Sequence, residues 1–483
     1  MGQRLSSIIR TNLLPYLLVL QVIIHAPFMN VPASGHHVWR QCNTLAVAKN
    51  YHEIDQNILY PRIDKTFGTN GITGPQFTSY DYTLSVLYRM FGFSEFTHRY
   101  FSLILSLLAI WGMFKVAQIY FKDLFLANLT ALSLIGIPEF YYYSINAVPD
   151  LLALAAMLWA WHYFYQFLEK PTFSNALFCG LLLGLAGMTK LMFLVPGFVF
   201  LGEIIRRKVK SLNLWLGIVL IAGLSIIPSY GWYQWAKYLT SINGIHEFVH
   251  QIRFLPTINE AFSAFLQNIF SDTVETWVGY PLLIFVFGGL FIAFRTRDLR
   301  VYLSILAAIL YYVVMQHQLQ VHGYYMLVFV PFIALSVGYF FKTTPRYFWV
   351  ALILMCLSPI WSVARMSHNY GSRVPAEFLS QNNRIQFQQW SKEKKHWIVG
   401  PDETGCVYFY YLQAKGYPWD APTTDSLTLS RFSEWIFKEG DDLGLITDRM
   451  DLLEEISKKL NVKYTVLHRQ GSFHWVDFQE ISK

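Results

Sequence analysis

Long apolar runs separated by short basic or polar connections constrain this chain more than any other feature. They recur near 12–31, 100–121, 124–138, 150–168, 174–189, 191–205, 212–235, 277–294, 301–316, 324–341 and 347–364. Crossing hydrocarbon takes about 20 mostly apolar residues per helix, so the pattern gives about eleven candidate spans. The composition agrees: 54% of residues are hydrophobic and only 14% charged, too apolar for an ordinary soluble surface. The net charge of +7 is an excess that a membrane protein carries in its cytoplasmic loops, so nucleic acid is not expected as a partner.

Basic residues order the loops. Lys122, Lys170, the cluster Arg206, Arg207, Lys208 and Lys210, the group Arg295, Arg297 and Arg300, and Lys342 with Arg346 fall in alternate connections. That alternation puts the N-terminus in the cytoplasm. The first run follows Arg4 and Arg10, has no small-residue cleavage site and is expected to stay as a span. The opposite, outer side then receives 32–98, 139–149, the turn at Thr189-Lys190, 236–276, 317–323 and the tail from about 366. SYDYTLSVLYRMFG, within the first outer loop, has the spacing of a helix lying along the membrane interface, and 245–271 reads the same way. The tail alternates short strand-like runs such as HWIVGP and LGLITD with helical patterns such as DLLEEISKKL, so a small α/β domain is expected over 366–483, after a membrane domain over 1–365. Trp390, Trp397, Trp419, Trp435 and Trp475 are read chiefly as its core. Cys42, Cys179, Cys356 and Cys406 lack metal-type spacing, and no bond is expected between Cys42 and Cys406.

Polar residues at membrane depth are costly and mark function. Four places stand out, all on the expected outer side: the segment His36-His37-Val38-Trp39-Arg40-Gln41-Cys42-Asn43; Asn146-Ala-Val-Pro149-Asp150; Lys190 between two apolar runs; and His317 with His322, Tyr324 and Tyr325. Each has a plainer reading alone. Asp150 suits a helix N-terminus, Lys190 a snorkelling interface lysine, and the tyrosines an interfacial belt. Their convergence on one side points instead to a cationic site for an anionic lipid headgroup, a polyprenyl phosphate being the candidate.

At these residues the chain resembles the bacterial polyprenyl-phosphate-dependent glycosyltransferases of the GT-C fold, in the branch related to protein O-mannosyltransferases and lipid A aminoarabinose transferases. GLAGMTK at 184–190 is similar to a G-L-A-x-x-T-K stretch whose lysine is associated with the lipid phosphate. PDLLALAAMLW resembles the helix-opening Asp segment, HGYYMLVFVPFIAL a late helix, and WRQCNTLAVAKNY with NILYPRID and YDYTLSVLYRMFG a first outer loop reading W-R-Q-A-D-T. The resemblance implies inverting transfer of a sugar from a polyprenyl-phosphate donor to an envelope glycan, lipid or protein acceptor, in the bacterial inner membrane, with the C-terminal domain extracytoplasmic. It implies substrate contacts at Lys190, Arg40, Trp39, Gln41, Gln76, Tyr80, His322, Tyr324 and Tyr325.

The chain departs from that pattern where the base should be. Asn43 replaces the expected Asp, Gln76 an expected Glu, and Thr78 a proline. Amides accept no proton at neutral pH. Asp81, Asp150 and His36 or His37 are the remaining candidates for proton transfer, and Glu53, Asp55 and Asp64 read as solvated loop charges. No obligatory metal is expected, although a divalent cation stays open, because Gln76 deprives a hard ion of a charged ligand. The alternatives are a catalytically impaired lipid-sugar binding subunit and a lipid-sugar flippase.

Overall fold

The computed structural model describes residues 12–94, 96–245, 259–260, 262–263, 266, 274–343 and 348–479. In chain order its helices are α1 (Leu14–His25), α2 (Val38–Glu53), α3 (Ser79–Phe91), α4 (Thr97–Phe121), α5 (Leu124–Ile135), α6 (Pro138–Tyr143), α7 (Asp150–Glu169), α8 (Phe173–Thr189) and α9 (Pro196–Arg207). There follow α10 (Leu212–Asn243), α11 (Tyr280–Arg295), α12 (Leu299–Val321), α13 (Val330–Thr343), α14 (Phe348–Met366), α15 (Gln381–Trp390), α16 (Val407–Leu412), α17 (Ser426–Glu439) and α18 (Met450–Leu460). Each apolar run carries a helix. Among the described residues four helices are long and apolar enough to cross a membrane: α4, α7, α10 and α12. Shorter apolar helices account for other runs, because local breaks divide them. Pro196 opens α9 after the turn Leu191–Leu194, and the turn Gly323–Val328 precedes α13. The stretch 245–271 lies mostly outside the described residues, as do Arg4, Arg10 and Arg346.

The chain divides into two compact units. The first comprises Met1–Val31, Phe96–Gln234 and His250–Tyr370. Its helices are apolar on most faces, and small residues decide how closely they approach. A Cβ on Gly180 would stand 2.8 Å from that of Leu224, one on Gly184 would fall against the Leu224 carbonyl oxygen, and one on Gly187 would stand 2.5 Å from Ser229 Oγ. Glycines at this spacing let α8 and α10 pack backbone to backbone, where dispersion replaces the hydrophobic effect as the driving force. Arg99, on α4, is buried and ties down the segment before α7: it donates to the Val31 and Ile145 carbonyls at 2.9 and 3.4 Å and to the Asn146 side chain.

The second unit comprises Pro32–Glu95, Trp235–Val249 and Gly371–Lys483. A five-stranded sheet organises its C-terminal part, with strands β1 (His396–Val399), β2 (Gly416–Pro418), β3 (Leu443–Thr447), β4 (Lys463–Gln470) and β5 (Phe473–Gln479). The order is β2-β1-β3-β5-β4. β1 runs parallel to β2 and β3, and β5 antiparallel to β3 and β4. β1 and β3 are buried along their whole length, as strands covered on both faces are. Ile398, Leu445 and Val476 meet Phe432 and Leu453 from α17 and α18 in the core. Trp419 and Trp435 are buried there, Trp397 and Trp475 are buried outside that cluster, and Trp390 stacks on His468 at 4.6 Å.

The segment 32–94 is stitched to this sheet by its own backbone and side chains. The Phe67 amide donates to the Gly416 carbonyl at 3.0 Å, the Gly416 amide to the Asp64 carbonyl at 3.1 Å, and Lys415 Nζ to Asn50 at 2.8 Å. Lys49 also bonds Gln413. Cys42 and Cys406 are both buried and no disulfide joins them.

Replacing Gly184 with Val should force α8 away from α10. The expected cost is about 1–3 kcal/mol, read as a lowered thermal midpoint of the detergent-purified protein; an unchanged midpoint would show that the helices tolerate a side chain there.

Candidate active site

In the first unit a cation and a carboxylate meet inside apolar surroundings. α7 begins at Asp150 after Pro149, and α8 ends at Thr189 with Lys190 as its extended cap. The two helices are packed neighbours joined by a short connection, so the start of one lies beside the end of the other. Both macrodipoles favour this arrangement, an anion at a helix N-terminus and a cation at a C-terminus. Lys190 Nζ donates to Asp150 Oδ1 at 2.6 Å, with Asp150 fully buried and Lys190 nearly so. The ammonium also lies 4.6 Å from the Tyr324 ring centroid and 3.8 Å from that of Tyr325, contacts that stabilise a desolvated cation. His322 stacks on both rings, at 5.4 and 5.9 Å. Asp150 Oδ2 has no hydrogen-bond partner among the described residues. The Leu191 amide donates to the Tyr233 hydroxyl at 3.2 Å, fixing the backbone after Lys190.

The same unit also holds an apolar groove. It encloses about 650 Å³ between α11, α12 and α13, lined by residues such as Val286, Val301, Ile305, Val313 and Phe329. From Val301 to Val313 it follows α12 for about 18 Å. At one end Phe329 lies 5.0 Å from the ring of Tyr311, whose hydroxyl donates to the Tyr325 carbonyl at 2.7 Å. Phe329 of the groove wall is thus joined through Tyr311 to Tyr325, the tyrosine that faces Lys190.

The other expected residues lie in the second unit. α2 carries Trp39, Arg40, Gln41 and Asn43, and packs against α3, which carries Tyr80 and Asp81. Tyr51 of α2 is hydrogen-bonded to Thr78 at 2.7 Å, so the threonine found in place of a proline pins the start of α3. Arg40, Gln41, Asn43, Tyr80 and Asp81 are buried; His37, Trp39 and Gln76 are half-buried. His37 takes the left-handed conformation at the cap of α2, and its ring lies 3.8 Å from that of His36, which is bonded by Arg373. Burial pushes the Asp81 carboxyl up to about 7, against the opposing pull of the Arg40 guanidinium. Its Oδ2 has no hydrogen-bond partner among the described residues. Asp55 pairs with Arg62 at 3.0 Å, Glu53 approaches Lys49 at 3.7 Å, and Asp64 accepts from Asn50 at 2.9 Å.

Among the described residues no group of three or more His, Cys, Asp or Glu side chains is arranged to hold a metal ion. Two features escaped the sequence reading. Glu139, on α6, is a buried carboxylate, and its signal was a lone acid in the apolar segment IPEFYYY. Arg99, at the start of α4, is the other.

Residues 78–232, which include Asp81, Asp150 and Lys190, match the family described as dolichyl-phosphate-mannose-protein mannosyltransferase. Among solved structures the chain is similar to ArnT from Cupriavidus metallidurans in the apo state, with 14% identity, a TM-score of 0.66 and coverage of 96% of this chain and 97% of that one. The same protein bound to undecaprenyl phosphate gives 13%, 0.65, 97% and 98%. The archaeal oligosaccharyltransferase AglB from Archaeoglobus fulgidus, in complex with an inhibitory peptide and a dolichol-phosphate, gives 13%, 0.58, 94% and 69%. No curated protein matches the sequence. These likenesses show that the chain has the helical GT-C fold, with a small sheet, that its motifs led us to expect.

Removing one member of the buried pair strands the other. Asp150→Leu should destabilise the protein by about 3–5 kcal/mol, with Asp150→Leu/Lys190→Met recovering much of the loss. Thermal unfolding of the three proteins checks this, and equal midpoints for the single and double variants would contradict it.

Proposed function

We propose that this chain is a multi-pass membrane glycosyltransferase that moves a sugar from a polyprenyl phosphate to an envelope acceptor. Its N-terminus is cytoplasmic and the C-terminal sheet faces outward, in a bacterial inner membrane. The observation that carries the reading is the buried Lys190–Asp150 pair, framed by Tyr324 and Tyr325. An isoprenoid chain suits the apolar groove of the same unit, whose wall residue Phe329 is joined through Tyr311 to Tyr325, and a lipid phosphate suits the ammonium. The groove alone would serve any lipid; the cation selects an anionic one.

In the reaction the acceptor oxygen forms a bond to the sugar C1 while the bond from C1 to the phosphate oxygen breaks. The electron pair leaves with the lipid phosphate and the configuration inverts. Lys190 then neutralises charge growing on that phosphate, the kind of electrostatic contribution that is usually largest. Asp150 orients the ammonium and keeps a cation stable in a dry site. The proton of the acceptor hydroxyl needs a base. With Asn43 and Gln76 in the expected places, Asp81 is assigned that role, because its acidity is matched to neutral pH.

One observation favours a second reading. Two amides, Asn43 and Gln76, where the resemblance led us to expect acids suit a subunit that binds lipid-linked sugar without turning it over. Purified protein incubated with radiolabelled polyprenyl-phosphate sugars and envelope extract separates the two: transfer supports the enzyme, and retention without transfer supports the binder. Lys190→Ala should abolish transfer, and full activity in that variant would remove its assigned role.

The base assignment carries its own pH signature. Below about pH 7 the Asp81 carboxyl takes up a proton, so the rate should fall as pH drops, by about tenfold per pH unit. Asp81→Asn should cost about a hundred- to ten-thousandfold and remove that limb. An unchanged rate would move the role to Asp150 or the histidines.

A further inference from the structure

Glu139 is a buried acid that the reaction as written does not use. It lies on α6, a six-residue helix in the connection between α5 and α7, outside the spans. Its surroundings belong to the site of the first unit. The carboxyl rests against Gly323, where a Cβ would stand 2.6 Å from one oxygen and 2.8 Å from the other. Gly323 opens the turn that carries Tyr324, and it follows His322 directly. Thr276 bonds the carboxyl from the turn Val274–Val278, whose next residue, Trp277, lines the apolar groove. Glu139 is thus placed beside the turn that carries Tyr324, whose ring lies 4.6 Å from Lys190 Nζ. It is 7% exposed, and its Oε2 has no hydrogen-bond partner among the described residues. A polar atom buried in this way is costly unless something bonds it.

The groups around it are Arg365 of α14, which pairs with Glu275 at 2.8 Å, Tyr143 of its own helix, and His322 and Tyr324 beside Gly323. Burial pushes the carboxyl up to about 8, opposed by the Thr276 hydroxyl and Arg365. At neutral pH it therefore holds a proton and offers an O–H. An approaching phosphate would raise its proton affinity further, so proton retention and phosphate binding reinforce each other.

We propose that Glu139 is a further binding residue for the lipid carrier, donating a hydrogen bond from its carboxyl group to a phosphate oxygen. The assignment rests on the polyprenyl-phosphate reading above. Its consequence is a binding site that presents a cation at Lys190 and a neutral donor at Glu139. Two cations would attract more strongly and release the spent carrier more slowly.

Titration of the detergent-purified protein with undecaprenyl phosphate from pH 6.5 to 9.5 tests this. Wild-type affinity should be flat below about pH 8 and fall above it. Glu139→Gln, which keeps a donor and cannot ionise, should bind like wild type at pH 7 and lose much of the alkaline fall. Glu139→Leu should bind about ten- to a hundredfold more weakly. Wild-type-like affinity in Glu139→Leu would overturn the proposal, as would a strong loss in Glu139→Gln at pH 7, because that loss would mean a carboxylate is needed. If wild type binds no undecaprenyl phosphate, the polyprenyl-phosphate reading falls and takes this one with it. Binding that is indifferent to Glu139 overturns this inference alone.

Discussion

The first unit depends on one ion pair held away from water. Moving an ammonium and a carboxylate into apolar surroundings costs several kcal/mol each, and their attraction returns that only when the geometry is good. Here it is good: a 2.6 Å contact, two aromatic faces against the ammonium, and two helix dipoles aligned to favour both charges. Such a pair is poor value as a stabiliser, since apolar side chains of equal volume would serve as well. Its retention makes sense if the cation has a task. Several neighbouring features read as support for it: Tyr233 fixes the backbone after Lys190, Arg99 and Asn146 hold the segment before Asp150, and the glycines of α8 set its approach to α10.

Under our proposal the second unit answers a different chemical problem. A general base needs a proton affinity near that of its surroundings at working pH. Exposed carboxylates titrate several pH units too low, and amides do not titrate at all. Packing α3 onto α2 buries Asp81 and raises its proton affinity, while Arg40 keeps the rise within bounds. With amides at 43 and 76, our proposal gives the base's role to the buried carboxyl of Asp81, five residues after Gln76. Asp55 pairs with Arg62, while Glu53 and Asp64 are bonded by Lys49 and Asn50 of α2; Asp64 is buried rather than the solvated loop charge expected, and all three bonds suit structural charges.

Much of this was legible in the sequence, for physical reasons. Apolar runs became helices because every amide in them must be bonded internally. Asp150 and Lys190 were visible as single charges in apolar stretches, and Pro149 marked a helix start. The strands at 396–399 and 443–447 announced themselves as short apolar runs between turn signals. What stayed hidden depends on long-range contact. Nothing in the spacing of 62–72 says that it will bond to 416, because the partners lie more than three hundred residues away. The orientation of Asp81 into the α2–α3 packing could not be read without knowing which faces meet. Glu139 was visible as an acid in an apolar segment, yet its relation to Gly323 required the fold. The lengths of the helices were overestimated wherever a run contained a break, as at Leu191–Leu194 and Gly323–Val328.

The central claim is that Lys190 serves an anionic lipid head. The most direct measurement is an electron cryo-microscopy map of the protein with undecaprenyl phosphate. The account predicts phosphate density within hydrogen-bond distance of Lys190 Nζ and a continuous isoprenoid chain in the groove between α11, α12 and α13. Phosphate density elsewhere, with the Lys190–Asp150 pair intact and that groove empty, would contradict it.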